Sequence, residues 1–248
     1  MTRLRFRTAQ LSAAGGRQVN EDAIAQGAGC WALADGLGGH GGGEVAARLA
    51  VDAALAALKD RQPEPQALNE AIAAAHQAVV NSQQDAPRLV GMRTTLVLLV
   101  SDGQHAAWAH VGDSRLYGFR AGKLWMQTAD HSVPQVLALA GEITPEQIRG
   151  HEDRNRLLRC LGQERPPKPA LNPEPNQDPI ALQPGDVFLL CSDGFWEGID
   201  EARMQLSLAQ ATDPGAWLAT LEQHLLAQAE PGHDNYSALA IFVDGPAP

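Results

Sequence analysis

Asp35-Gly36-Leu37-Gly38-Gly39-His40-Gly41-Gly42-Gly43-Glu44 joins two segments of different period. Before it, Cys30-Trp31-Ala32-Leu33-Ala34 is a short apolar run of the kind a buried strand shows. After it, Val45-Ala46-Ala47-Arg48-Leu49-Ala50-Val51 has helical spacing. The junction therefore places a carboxylate at the tip of a strand. Six glycines in the eight residues 36–43 let the backbone turn sharply and bring its own carbonyl and amide groups close to a small ion or a phosphate. An Asp-Gly pair standing alone reads as ordinary turn chemistry, but this one has company. Asp113 follows the apolar run Ala106 to Val111, Asp193 follows Val187 to Ser192, and Asp234 precedes Tyr236 to Val243. Carboxylates converging at strand ends would repel one another and raise each other's pKa unless divalent cations neutralised them. Oxygen ligands with no His or Cys beside them suit hard ions such as magnesium or manganese.

The remaining composition sets bounds. At 248 residues the chain is long enough for one large domain with a substantial core, and no stretch reads as a linker, so a single domain over 1–248 is expected. A formal charge of -10 and a pI near 5.2 argue against general nucleic-acid binding. Cys30, Cys160 and Cys191 are far apart and odd in number, which fits reduced, buried thiols in the cytosol. No segment approaches the roughly 18–20 apolar residues of a membrane span, and Met1-Thr2-Arg3-Leu4-Arg5-Phe6-Arg7 has no apolar signal core behind it. The expectation is a soluble cytoplasmic protein without membrane contact.

Along the chain, residues 3–12 fit an edge strand, and 15–22 a polar loop leading into Ala23-Ile24-Ala25. Two helices are expected at 42–59 and 65–83, separated by the prolines of Gln62-Pro63-Glu64-Pro65. Runs at 94–100 and 106–111 flank Asp102-Gly103, and runs at 116–120 and 123–126 flank Ala121-Gly122. These are hairpin signals, so the sheets should be mostly antiparallel. From Asp130 to Glu164 the pattern is helical, irregular and basic, with Thr144-Pro145 as a helix start. Residues 163–179, rich in Pro, Asn and Glu, read as an exposed connection. A strand at 186–191, helices near 200–210 and 214–229, and a closing strand at 236–243 complete the chain.

The ordered set Arg17-x-x-Asn20-Glu21-Asp22, Asp35-Gly36-x-Gly38-Gly39-His40, Gly91-Met92-x-Thr94-Thr95, Gly112-Asp113-Ser114-Arg115, Asp130-His131-Ser132, Ser192-Asp193-Gly194 and Asp234-Asn235 resembles the protein phosphatase 2C family in its bacterial form. Each motif is weak alone; in this order, over nearly the whole chain, they are specific. The resemblance implies an α+β fold, a four-layer αββα sandwich of two mostly antiparallel sheets flanked by helices, with a metal cluster at one end. It implies metal-dependent hydrolysis of phosphoserine and phosphothreonine in proteins, with Mn2+ or Mg2+ as cofactor, two ions bound tightly and a third weakly. By that pattern Asp35 is shared by two metals, the Gly36 carbonyl binds the second, and Asp193 and Asp234 complete the first. Glu21 and Asp22 support the second metal largely through water, and Asp113 with Asp193 holds the third ion. Arg17 matches the arginine that grips the substrate phosphate, a role suited to its charged fork, and about 132–165 matches a flap beside the active site.

Two positions depart from the pattern. Animal members carry a His two residues after the central Asp, proposed as general acid, where this chain has Leu37, so the proton donor is unassigned. His40 reads either as that acid or as a residue fixing the glycine-rich turn. Arg93 stands where relatives have a small residue and reads either as an extra phosphate or flap contact or as an ordinary surface arginine. Two metals can bridge one water, lower its pKa and aim it at phosphorus, so no covalent phosphoenzyme is required. Cys191 ends an apolar strand, and no Cys-x5-Arg phosphate loop is present. The expected partners are phosphorylated proteins, those of a partner Ser/Thr kinase, acted on by a monomer. The rival readings are a silent phosphoprotein-binding relative, which should have lost a metal carboxylate, and a phosphatase of small phosphorylated metabolites.

Overall fold

Strands β1 (Arg5–Ala13), β2 (Ala23–Gly27), β3 (Cys30–Ala34) and the two-residue β4 (Gly36–Leu37) lead into helices α1 (Gly42–Leu58) and α2 (Pro65–Asp85). Then come β5 (Arg93–Thr94), β6 (Leu96–Ser101), β7 (His105–Val111), β8 (Arg115–Arg120), β9 (Lys123–Gln127) and α3 (Val133–Leu139). The chain closes with β10 (Ala170–Asn172), β11 (Ile180–Ala181), β12 (Val187–Cys191), α4 (Asp193–Trp196), α5 (Glu201–Leu208), α6 (Pro214–Gln228) and β13 (Tyr236–Asp244). The structure, a computed structural model, describes residues 3–38, 42–172 and 178–246.

The strands form two antiparallel sheets, one ordered β1-β13-β12-β8-β9 and the other β10-β7-β6-β3-β2, with β11 also on β7. Side-chain alternation explains why they stack. In β6, Leu96, Leu98 and Val100 face the α1–α2 layer, while Val97 and Leu99 face the other sheet. In β12, Phe188 and Leu190 face inward between the sheets, while Val187, Leu189 and Cys191 face α4, α5 and α6. Central strands buried on both faces read as unbroken apolar runs. Three apolar interfaces separate four layers, the αββα sandwich expected.

The helices follow from their sequences. In α1, Ala46, Ala47, Ala50, Val51, Ala54 and Leu58 are buried, a helical stripe of small residues. In α2, Pro65 occupies the first turn, where its missing N–H costs nothing, and Ala67, Leu68, Ala71, Ile72, Ala75 and Val79 face inward.

Gly112-Asp113-Ser114 joins β7 and β8, which belong to different sheets, so the segment crosses between them. Two sequence expectations need correction. The run 94–100 is not one strand but breaks at Thr95, for a reason given below. Residues 163–179 are not all connection, because Ala170–Asn172 pairs with His110, Ala109 and Trp108 of β7.

This topology sets the site. β3 and β7 both run antiparallel to β6, so their C-terminal ends share one edge. In the other sheet the end of β12 lies beside the start of β13. Asp35, Asp113, Asp193 and Asp234 thus lie at one end of the sandwich, where the chain crosses between sheets.

Candidate functional site

Asp35 is held by its main chain. Thr95 N–H and Thr94 Oγ1 donate to its carbonyl at 2.9 and 2.7 Å, and its own N–H donates to Thr95 Oγ1 at 2.9 Å. Thr95 Oγ1 also shares a hydrogen bond of 2.7 Å with Ser114 Oγ, next to Asp113. Both threonines are fully buried. The strand breaks here because these groups serve Asp35 instead of a neighbouring strand. Gly36 then passes so close to other backbone that a Cβ would lie 2.2 Å from the Gly43 carbonyl oxygen and 2.5 Å from that of Glu21. Only glycine fits.

Asp113 is fixed from two sides. Its carbonyl accepts from Trp196 Nε1 at 2.9 Å. The preceding Gly112 exchanges bonds with His131: Gly112 N–H donates to His131 Nδ1 at 3.1 Å, and His131 N–H donates to the Gly112 carbonyl at 2.9 Å. Burial, with His110 and Arg159 beside it, lowers the His131 pKa to about 3, so its ring stays neutral and Nδ1 can accept. The ring stacks on His110 at 4.6 Å. Arg115 forms a buried bidentate pair with Asp130, at 2.8 and 2.7 Å, and lies 3.4 Å over the Trp196 ring.

Asp193 opens α4 and accepts from Gly194 N–H at 2.6 Å. Asp234 is exposed; its Oδ2 pairs with Arg17 at 3.1 Å and its Oδ1 accepts from Asn235 N–H at 2.9 Å. Asp35, Asp113, Asp193, Asp234, Gly36, Glu21 and Arg17 line one cavity of about 660 Å3. Arg17 is the one basic side chain among the described residues that line it. Asp22 is near enough to raise the pKa of Asp35 but lines a different cavity, of about 550 Å3, between β1, β2 and α1. Its Oδ2 accepts from Ser192 Oγ at 2.8 Å, while its buried Oδ1 has no partner among the described residues. His40 lies outside the described residues.

The electrostatics are those of crowded, partly dehydrated carboxylates. Burial first, then neighbouring charge, lifts Asp35 and Asp113 well above the usual range, and burial likewise lifts Asp193 and Glu21. Burial also brings Asp22 up to about 7, with the nearby Ser237 and Ser192 hydroxyls acting to lower it. Among the described residues no three His, Cys, Asp or Glu side chains close into a ready-made metal cage; they share a cavity. Several carboxylates facing one guanidinium, with an orphaned carboxylate oxygen behind them, fit hard divalent cations, which would relieve the repulsion. Cys191 does not face this cavity: it is fully buried among the residues of α4 to α6, and burial pushes its thiol up.

Other residues resolve by contact. Arg93 donates to the carbonyls of Val90 and Met92, at 3.1 and 2.7 Å, and does not line the cavity; its hydrogen bonds are local to the turn before β5. In the segment 132–165, Arg149 pairs with Glu201 and Arg154 with Glu197, at 2.5 and 3.2 Å. Asn155 and Leu157 of the same segment line the cavity, and the sequence does not single them out. Nothing in a local pattern marks them, since their place depends on how 130–161 folds back onto His131 and Thr94.

The sequence profile of protein phosphatase 2C matches residues 10–228. The chain belongs to the protein phosphatase 2C family. The serine/threonine protein phosphatase PstP of Mycobacterium tuberculosis is 38% identical to it over 189 residues, 75% of this chain and 35% of PstP. The chain thus spans about a third of the length of that curated relative. The crystal structure of the M. tuberculosis phosphatase PstP/Ppp superposes with a TM-score of 0.85 at 33% identity, over 97% of this chain and 99% of that one. The catalytic domain of PstP in complex with two manganese ions gives a TM-score of 0.82 at 33% identity, over 98% and 100% of the two chains. In this 2C-family fold the four-layer sandwich carries its carboxylate cavity at one end, bordered by Asn155 and Leu157.

Proposed function

We propose that this chain is a metal-dependent protein phosphatase that hydrolyses phosphoserine and phosphothreonine without a covalent phosphoenzyme. The observation that carries the reading is the single cavity lined by Asp35, Asp113, Asp193, Asp234 and Arg17, in a family one of whose members is solved with two manganese ions. In this reading Asp35, the Gly36 carbonyl, Asp193 and Asp234 hold two Mn2+ or Mg2+ ions, Asp113 with Asp193 holds a third, and Glu21 and Asp22 support the second. When bound, the ions supply an activated water and neutralise charge on the phosphoryl group. The chain's own residues do the rest. Arg17 binds and orients the phosphate by its charged fork. Thr94, Thr95 and Ser114 fix where Asp35 and Asp113 stand, so the carboxylates need no rearrangement during the reaction. Asn155 and Leu157 border the phosphoester and limit its contact with bulk water.

The reading includes a single domain with a flap at about 132–165, monomeric and cytoplasmic, acting on proteins phosphorylated by a partner Ser/Thr kinase. No helix among the described residues is long and apolar enough to cross a membrane. A silent phosphoprotein binder is disfavoured because every candidate metal carboxylate is retained.

The test is phosphate release from a phosphothreonine peptide and from small phosphorylated metabolites, in metal-stripped protein and after titration with Mn2+ or Mg2+. Activity is expected only with metal and mainly on the peptide. Full turnover in stripped protein would overturn the metal mechanism; faster turnover on metabolites would overturn the substrate class.

A further inference from the structure

The loop that carries Arg17 has no regular structure of its own, and residues 15–19 are all exposed. An exposed loop of this kind cannot by itself hold a guanidinium in one place, because its backbone entropy is not offset by buried contacts. One buried side chain stands at its neck. Asn235, 7% exposed, donates from Nδ2 to the carbonyl oxygens of Ala14 and Val19, both at 2.9 Å. Its Oδ1 accepts from Glu21 N–H at 2.8 Å. Two carbonyls on one side and an N–H on the other match the polarity of the amide, so both donors and the acceptor are used. The Ala14 and Val19 bonds draw the two ends of the loop together around 15–18.

The same residue is tied to the metal-side loops. Its N–H donates to Asp234 Oδ1 at 2.9 Å, and its carbonyl oxygen passes where a Cβ on Gly194 would stand, 2.1 Å away. The two loops also touch directly: Gly16 N–H donates to the His233 carbonyl at 2.9 Å, and a Cβ on Gly16 would lie 2.4 Å from the Cα of Gly232. Arg17 Nη2 ends 3.1 Å from Asp234 Oδ2. The phosphate loop and a candidate metal carboxylate are therefore held in register through Asn235.

Resting on the phosphatase reading above, we infer that Asn235 is the positioning residue of the Arg17 loop: its side-chain amide clasps Ala14, Val19 and Glu21 and so sets the distance between the phosphate-binding guanidinium and the metal-side carboxylates. Asn235 also lines the cavity, but its side-chain amide is spent on these three main-chain groups, and in this role it acts through Arg17. Truncating it removes three hydrogen bonds from an exposed loop while leaving the Asp234 side chain and the Asn235 main chain in place. The consequence is loss of phosphate binding ahead of loss of chemistry.

A double-mutant cycle tests this. In Asn235→Ala, the KM for a phosphothreonine peptide and the inhibition constant for inorganic phosphate are expected to rise about tenfold, since part of the loss of the three hydrogen bonds reaches the guanidinium. kcat should change several-fold less, and Mn2+ affinity by calorimetry should stay unchanged. In an Arg17→Ala background the same substitution should raise KM no further. Independent, multiplying effects of the two substitutions would overturn the inference. So would an unchanged KM and phosphate inhibition, or a fall in Mn2+ affinity parallel to the rise in KM. If Asn235→Ala does not fold, amide hydrogen exchange of the wild-type protein decides: the Glu21 N–H exchanges slowly if the clasp is closed, and at the rate of an unprotected amide if it is not. Exchange and inorganic-phosphate binding need no turnover, so a chain inert towards phosphopeptides would sink the activity reading and still leave the clasp tested.

Discussion

Replacing Asp193 by Asn keeps the side chain's shape and removes the charge that would hold a cation. Turnover is expected to fall by orders of magnitude, with calorimetry counting fewer bound Mn2+ ions; near-normal turnover and metal content would refute the assignment. Asp113→Asn separates two roles. Asp113 lies on a crossing between sheets and is 4% exposed, so it is not a hairpin-turn residue. As ligand of a third ion, its loss should leave two tighter ions bound while raising the metal concentration needed for activity. In metal-free protein the same change removes one of several mutually repelling buried carboxylates and should raise the melting temperature at alkaline pH. Unchanged metal dependence with unchanged melting would deny it both roles. These aspartates were legible in the sequence because each ends or begins an apolar strand. Thr94, Thr95 and Asn235 stood in quoted motifs, but their tasks were not legible. They act on main-chain groups of distant residues, Asp35 or the loop 14–21, and no local period records such a partner. Asp22 was legible as a carboxylate near the others but not as the wall of a second cavity, which depends on how β1 and β2 splay.

Glycines show the same division at the level of elements. Gly36 begins β4 between Asp35 and α1, where the Gly43 and Glu21 carbonyls leave no room for a methyl group. Gly36→Ala should destabilise the protein by about 1–3 kcal/mol or more, the usual cost of overpacking, read from urea unfolding, and weaken metal binding as the β4–α1 junction shifts. Gly91, quoted from the same family pattern, meets nothing within 4 Å, and Gly91→Ala should be nearly neutral. Equal losses in the two variants would mean that close approach is not the reason for glycine at 36. The helices and main strands were legible because period and length agree: α1 and α2 start within a residue of expectation and end within two. The short strand β10 was not. Three residues at a sheet edge inside a Pro-, Asn- and Glu-rich stretch show no alternation, and only pairing with β7 makes them a strand. The segment 132–165 was legible as basic and irregular, but not how its arginines are used. Arg149 and Arg154 are spent on Glu201 and Glu197, anchoring the segment to α5 and to the residue closing α4.

Over the whole molecule, the crowded carboxylates set how stability depends on pH and metal. In the metal-free protein burial raises Asp22 and Glu197 to about 7, and Asp35, Asp113 and Asp193 are raised as well. A carboxylate whose folded pKa lies above its unfolded value binds more protons in the folded state. Its contribution to stability is present below the unfolded pKa, about 4, and is lost as pH rises through the folded pKa. Buried histidines act in the opposite sense: burial lowers His76, His110 and His131, so they favour the folded state as pH rises towards about 6.5 and are neutral in both states well above it. Below about pH 6.5 the two sets oppose each other; from about pH 7 to 9 the carboxylates act without the histidines, and the buried thiols Cys30, Cys160 and Cys191, also raised by burial, act in the same sense towards pH 9. Metal-free protein should therefore melt at a lower temperature at pH 9 than at pH 7. Divalent cations bind the ionised carboxylates, so saturating Mn2+ should raise the melting temperature more at pH 9 and flatten the dependence, with protons released on binding. Thermal melts at both pH values, with and without Mn2+, and calorimetry in buffers of different ionisation enthalpy measure both effects. A metal-free melting temperature that rises over this range, or Mn2+ binding without proton release, would mean that these carboxylates are already ionised and relieved by something other than metal.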